Sequence, residues 1–288
     1  MSSEKRIKGL SLKVSPLGEN DRLLTILSDK EGITRLAIPG ARRPKSSLAA
    51  AVPLTFLDLQ VVGKKGLQRV RQIKIIRSFN TIGQTIETLA AAQAISELLL
   101  MLVANNDPQP NMLKTALIHL ERLEENINKP NNQVFVLAKA VQACIHLLAL
   151  GGYCIPLQVC PRSGLALDPP LGNWDWRCSL IPNEGFIIGD IENAKIQLNP
   201  SELALLQRLL RVNLPLNKSF EIIGPIEVWL KLLTVVEYWI DHHLPKKLHS
   251  LEMLREVMPI SHSPQKDPNN PNKSETNISP TTKIRRAK

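Results

Sequence analysis

Residues 22–46 read RLLTILSDKEGITRLAIPGARRPKS. Two runs, 22–28 and 33–39, are rich in branched apolar side chains and too short for helices. Asp29-Lys30-Glu31-Gly32 between them is a turn signal, and Pro39-Gly40 ends the second run. The same grammar continues outward. Residues 7–14 alternate until Ser15-Pro16-Leu17-Gly18 stops them, and 53–62 and 67–79 follow, split by Gly63-Lys64-Lys65-Gly66. Five short strands with one longer basic connection fit a small barrel of the oligonucleotide-binding (OB) type. Five strands fit an SH3-like barrel equally, and the pattern alone leaves both open.

After Phe79 the apolar period changes from two to about 3.6, predicting helices over 82–103, 111–126 and 132–150, the last closed by Gly151-Gly152. Prolines and glycines then dominate a compact irregular insert. Asn199-Pro200-Ser201-Glu202 has the form of a helix start with a capping box. It opens a helix over 203–212, and further helices are predicted over 226–243 and 250–257. From Ser261 onward, Pro, Asn, Ser and Thr cannot build a core. The expected class is α+β: an OB-type barrel at 1–80, an all-helical domain at 81–258 with a small irregular insert at 153–190, and a disordered tail at 259–288.

The 288 residues hold 36 Lys+Arg and 26 Asp+Glu, a net charge of +10. Residues 1–80 contain 16 of those bases and six of those acids, so the whole excess lies in the barrel and the rest is balanced. That is the footprint of a nucleic-acid-binding module joined to a neutral body. The focus is Gly40-Ala41-Arg42-Arg43-Pro44-Lys45-Ser46, read as a flexible basic loop. Arg42, Arg43 and Lys45 are the candidate phosphate clamps, with Lys13, Arg22, Arg35, Lys64, Lys65, Arg69 and Arg71 supplying the surrounding field. The bland alternative is a solvated basic loop, against which stands the confinement of the net charge to this module. Phe56 and Phe79 are its only aromatics, both in apolar runs that suit a core. Without stacking platforms, binding should be directed at the backbone, indifferent to sequence and sensitive to salt.

Little in the chain points to catalysis. There is no phosphate-binding P-loop, no G-x-G-x-x-G, no G-x-S-x-G and no H-E-x-x-H. The adjacent His242 and His243 suit a helix end better than a metal. Cys160-Pro161-Arg162-Ser163 is half of a C-x-x-C, Cys178 has no partner three residues away, and Cys144 and Cys154 sit in or just after a helix. A structural zinc site wants four placed ligands, so no cofactor, zinc included, is expected. The start leads into no signal-type stretch, and no uncharged apolar run reaches the roughly 18 residues that span a bilayer. The expectation is a soluble cytoplasmic protein, associated with the nucleoid and without a membrane partner.

Lys8-Gly9-Leu10-Ser11-Leu12-Lys13, then residues 17–27, Gly32 and the Gly40-Ala41-Arg42-Arg43 loop resemble the amino-terminal barrel of the bacterial RecO (recombination protein O) family. Glu97-Leu98, the Leu147 to Tyr153 helix end, Cys160 and residues 244–251 extend the resemblance over much of the chain. It implies an OB barrel, a helical domain and a small insert that often binds zinc. It also implies binding of single- and double-stranded DNA, ATP-independent annealing of complementary strands, and work with RecR and, in many members, RecF. Members help RecA load onto DNA coated by single-stranded DNA-binding protein (SSB), whose acidic tail they bind. The insert departs from the family, since Ser163 stands where a ligand Cys belongs and the second C-x-x-C is missing. The expected function is therefore a non-enzymatic DNA repair and recombination mediator. Two competitors remain: an RNA-binding accessory factor with the same barrel, and an enzyme with a site in the insert.

Overall fold

Alternating burial builds the amino-terminal sheet of the computed structural model, which describes residues 4–63, 66–125 and 132–258. Strands β1 (Glu4–Leu17), β2 (Asp21–Ser28), β3 (Gly32–Ile38), β4 (Thr55–Val62) and β5 (Gln68–Ser78) close into a barrel in the order β1-β2-β3-β5-β4. All seams are antiparallel except β3 to β5, where Leu36 and Ala37 run parallel to Gln68 and Arg69. That parallel closure favours the OB-type reading over an SH3-like one, whose strands form an antiparallel meander. Leu24, Ile26, Leu36, Ile38, Leu57, Leu59 and Val61 point inward and fill the barrel. Strand β1 is longer than predicted because Pro16 lies near its end, opposite Arg22, where a missing N–H disturbs little of the ladder.

A register slip in β1 between Ser11 and Lys13 changes which side chains face out. Leu10 and Leu12, with Leu27, Ile33, Leu54 and Phe79, pack outward into one apolar cluster with the helices. The helical body is made of α1 (Ile86–Leu102), α2 (Pro110–Glu124), α3 (Asn132–Leu150), α4 (Pro200–Arg208), α5 (Ile226–His243) and α6 (His249–Val257). Helix α1 starts later than its periodicity suggests. Asn80–Gln84 forms a 3-10 turn that still buries Ile82, and Thr85 caps the helix through the Thr88 amide. Residues 133–150 of α3 are the one described stretch long and apolar enough to cross a membrane, and 67% of it is buried inside the body.

The insert differs from expectation. Cys178–Ile181 (β6) pairs on one side with Gly185–Ile188 (β7) and on the other with Ile196–Leu198 (β8), giving a three-stranded antiparallel sheet of order β7-β6-β8. Strands of three or four residues carry too few alternations to show a period, and they gain meaning only once paired. The predicted disordered tail lies outside the described residues, as do Lys64 and Lys65.

Candidate nucleic-acid interface

The turn after β3 is held at several points. Gly40 N–H donates to Asp21 Oδ1 at 2.8 Å and Arg42 N–H to the Asn20 carbonyl at 2.9 Å. The Arg42 guanidinium donates to the Gly18 carbonyl at 3.1 Å. Ala41 is buried as a plug in the barrel core, and Ser46 caps the 3-10 turn Ser47–Ala50. What reads locally as a flexible loop is thus a turn fastened to the β1–β2 hairpin, with Arg42, Arg43 and Lys45 exposed on it. Among the described residues none of the three has a carboxylate within ion-pair distance. Fixed, unneutralised cations can meet a phosphate without first breaking an internal pair.

The remaining candidates fall into distinct places. Lys13, Thr25 and Arg35 form one cross-strand row on the outside of β1, β2 and β3. Ser15, Leu23, Ala37 and Arg69 form the next row, which leads toward the turn. Lys13, Arg35 and Arg69 are exposed, and no carboxylate among the described residues pairs with them. Arg22 is half-buried at the rim beside Pro16 and Ile38. Arg71 lies 3.7 Å from Glu4, so part of its charge is already answered. Arg77 is committed to the body, donating to Glu121 at 2.6 Å and to Glu124 at 3.2 Å. Phe79 is buried beneath it and Phe56 packs on the helical cluster, so neither barrel aromatic offers a stacking face.

Lys13 and Arg35 also line a cavity of about 870 Å³ between the barrel and the body, together with Lys246, Lys247, Leu100 and Met101. The two lysines sit just before α6 and are absent from the sequence-based set. Their only local signal is the pair itself, in a body whose acids outnumber its bases.

The zinc that the insert's resemblance suggests finds no donor set here. Cys160 Sγ accepts the Ile188 N–H at 3.5 Å. Burial pushes its thiol up, but hydrogen bonds from Ser163 and from the Ile188, Ser163 and Arg162 amides outweigh it and bring the pKa to about 7. Cys178 instead donates to the Leu198 carbonyl at 3.8 Å, and burial pushes it up to about 12. One amide cradle for a thiolate survives without the three further ligands a metal needs. Among the described residues no group of three or more His, Cys, Asp or Glu converges on a metal position.

Barrel, fastened basic turn and helical body together define an α+β protein of the OB-barrel class. Comparison with known proteins supplies the family. Residues 1–79 match the family model for the recombination protein O N terminal, and residues 83–252 match that for its C terminal. The chain is 64% identical over 259 residues to a DNA repair protein RecO of Prochlorococcus marinus (strain MIT 9303), covering 90% of this chain and 97% of that protein. It is 57% identical to one from Synechococcus sp. (strain WH7803), covering 90% and 96%. A relative from Trichodesmium erythraeum is 27% identical, covering 85% and 92%. The chain belongs to the RecO family of DNA repair proteins.

Proposed function

We propose that this protein is a recombination mediator that binds single- and double-stranded DNA, anneals complementary strands without ATP, and with RecR helps RecA load onto SSB-coated DNA. The observation that carries the reading is the fastened turn presenting Arg42, Arg43 and Lys45, none paired to a carboxylate among the described residues, on a barrel of this family. Cations on one face hold two phosphate backbones close by screening their repulsion. The absence of an aromatic clamp on the barrel leaves base edges free to pair. The reading assigns no catalytic residue and needs no zinc. Its protein partners would be RecR, the acidic SSB tail and, where the organism uses it, RecF. Its place of work would be the cytoplasm, at the nucleoid.

The test is fluorescence-monitored annealing of complementary strands, with and without SSB, by wild type and Arg42→Ala/Arg43→Ala/Lys45→Ala. The wild type should anneal without ATP. The triple variant should anneal more slowly, and its log–log salt slope for single strands should shrink by about 2 if each cation meets one phosphate. Equal rates and slopes would remove the turn from the interface, and a wild type that does not anneal would remove the function.

A further inference from the structure

The cavity between barrel and body brings together charges that are far apart in the chain. Lys13 and Arg35 stand on the barrel wall, and Lys246 and Lys247 on the lip formed by the segment before α6. The one acid lining it is Glu97, whose carboxylate accepts the Ser250 amide at 3.2 Å and so helps fix the start of α6. Lys247 lies 3.5 Å from Asp241, while Lys13, Arg35 and Lys246 have no carboxylate partner among the described residues. Ile33, Leu100, Met101 and Val103 add apolar side chains to the lining. Residues 81–258 hold 18 acids and 14 bases. Against that negative background a lip with two adjacent lysines facing a cationic barrel wall is not explained by the body's general charge.

We propose that this groove is a second segment of the DNA interface and takes a single strand. The strand would run from the turn at Arg42 across the row of Arg69 and Ala37 to the row of Lys13 and Arg35, with Lys246 and Lys247 holding phosphates from the opposite side. Three features select this occupant. Cations on both walls suit a polyanion running between them. The rows are contiguous on the barrel surface, so the groove continues the face that begins at the turn. Apolar lining side chains, one of them the flexible thioether of Met101, suit exposed base faces, which a duplex keeps inside its stack. The body then closes over the strand as a wall of the interface. This inference rests on the DNA-binding reading above and extends it to residues of the helical body.

The test measures salt-dependent binding of fluorescent oligo-dT and of a duplex to the full chain, using wild type, Lys246→Ala/Lys247→Ala and Arg42→Ala/Arg43→Ala. Both lysines are exposed, so the substitutions leave the packing intact. The lysine variant should lose about 1.4 from its single-strand salt slope, two phosphates at ~0.7 each, with its duplex slope unchanged. If its single-strand slope equals wild type while the Arg42/Arg43 variant's falls, the groove is not on the strand's path and only the extension is lost. If wild type binds no DNA, the underlying reading fails and takes this one with it. A labelled acidic peptide with an apolar end serves as the rival occupant. Loss of its binding in the lysine variant, with oligo-dT binding unchanged, would make the groove a peptide dock and overturn the proposal.

Discussion

At Gly32 the backbone stands at φ +61°, and a Cβ there would collide with the carbonyl oxygens of Asp107 and Ala104. Beside it Ile33 N–H donates to the Ala104 carbonyl at 3.2 Å, so the start of β3 is seated on the loop after α1. Gly18 has the same φ of +61° but nothing within 4 Å of its Cβ position. Gly18→Ala should therefore cost about 1 kcal/mol for the left-handed conformation alone, and Gly32→Ala roughly 3 kcal/mol or more. Urea midpoints separate the two, and equal costs would show that the seat on the loop gives way freely. A second residue-scale prediction concerns His119 and His146, whose Nε2 and Nδ1 lie 3.1 Å apart while His146 Nε2 donates to the Leu209 carbonyl at 2.9 Å. Burial, then the nearby His146 and Arg122, push His119 from 6.5 down to about 3, and burial first lowers His146 too. The unfolded chain takes up these protons near pH 6.5 and the folded one resists. The His119 contribution is thus complete above about pH 6.5 and falls as pH drops toward 3, by at most about 1.4 kcal/mol per pH unit, and the lowered His146 acts in the same direction. His119→Gln keeps a polar partner for His146 and should flatten that decline in urea titrations at pH 7, 6 and 5. An unchanged profile would clear His119 of the acid sensitivity.

The elements differ in how far their chemistry reaches along the chain. In α4 the Asn199 side chain accepts the Glu202 amide at 2.9 Å and the Glu202 carboxylate accepts the Asn199 amide at 2.9 Å, the capping box that four consecutive residues announce. The same carboxylate takes Lys231 of α5 at 2.6 Å, a contact no local pattern contains. Asn199→Ala should cost about 1 kcal/mol, whereas Glu202→Ala loses its half of the cap and the tie to α5 and should cost about 2 kcal/mol. If chemical denaturation gives equal costs, the Lys231 pair contributes nothing. The contrast explains what was legible. Strands, helix spans and the cap depend on neighbours within a few residues, so they could be read from the chain. The turn at 39–46 was read as flexible because its anchors, Gly18, Asn20 and Asp21, lie some 20 residues upstream and meet it only after β2 and β3 pair. The β6–β8 sheet was hidden for the same reason. Its strands are shorter than a detectable period, and β8 lies beyond the insert as read from its prolines.

For the whole molecule, the +10 excess in residues 1–80 was visible by counting, while Lys246 and Lys247 were not, because a body with more acids than bases hides a lip that only folding sets against Lys13 and Arg35. Counting also suggests a barrel that could stand alone, and packing argues otherwise. The barrel has its own interior, yet Leu10, Leu12, Leu27, Ile33, Leu54 and Phe79 belong to the cluster of the helices. Uncovering six such side chains forfeits roughly 10 kcal/mol, at ~1.5 to 3 kcal/mol for a fully buried one. That is comparable with the 5–15 kcal/mol that holds a typical domain together, so the barrel should not survive without the body. All four tryptophans lie in the body, at positions 174, 176, 229 and 239, so their fluorescence reports it alone, and hydrogen exchange of β4 amides reports the barrel. In the intact chain both should be lost at the same urea concentration, and a fragment of residues 1–80 should bind a hydrophobic dye and melt without a cooperative transition. A barrel that keeps its β4 protection after the tryptophans are exposed, or a fragment that melts cooperatively, would show the shared cluster to be a contact surface between two independently stable folds.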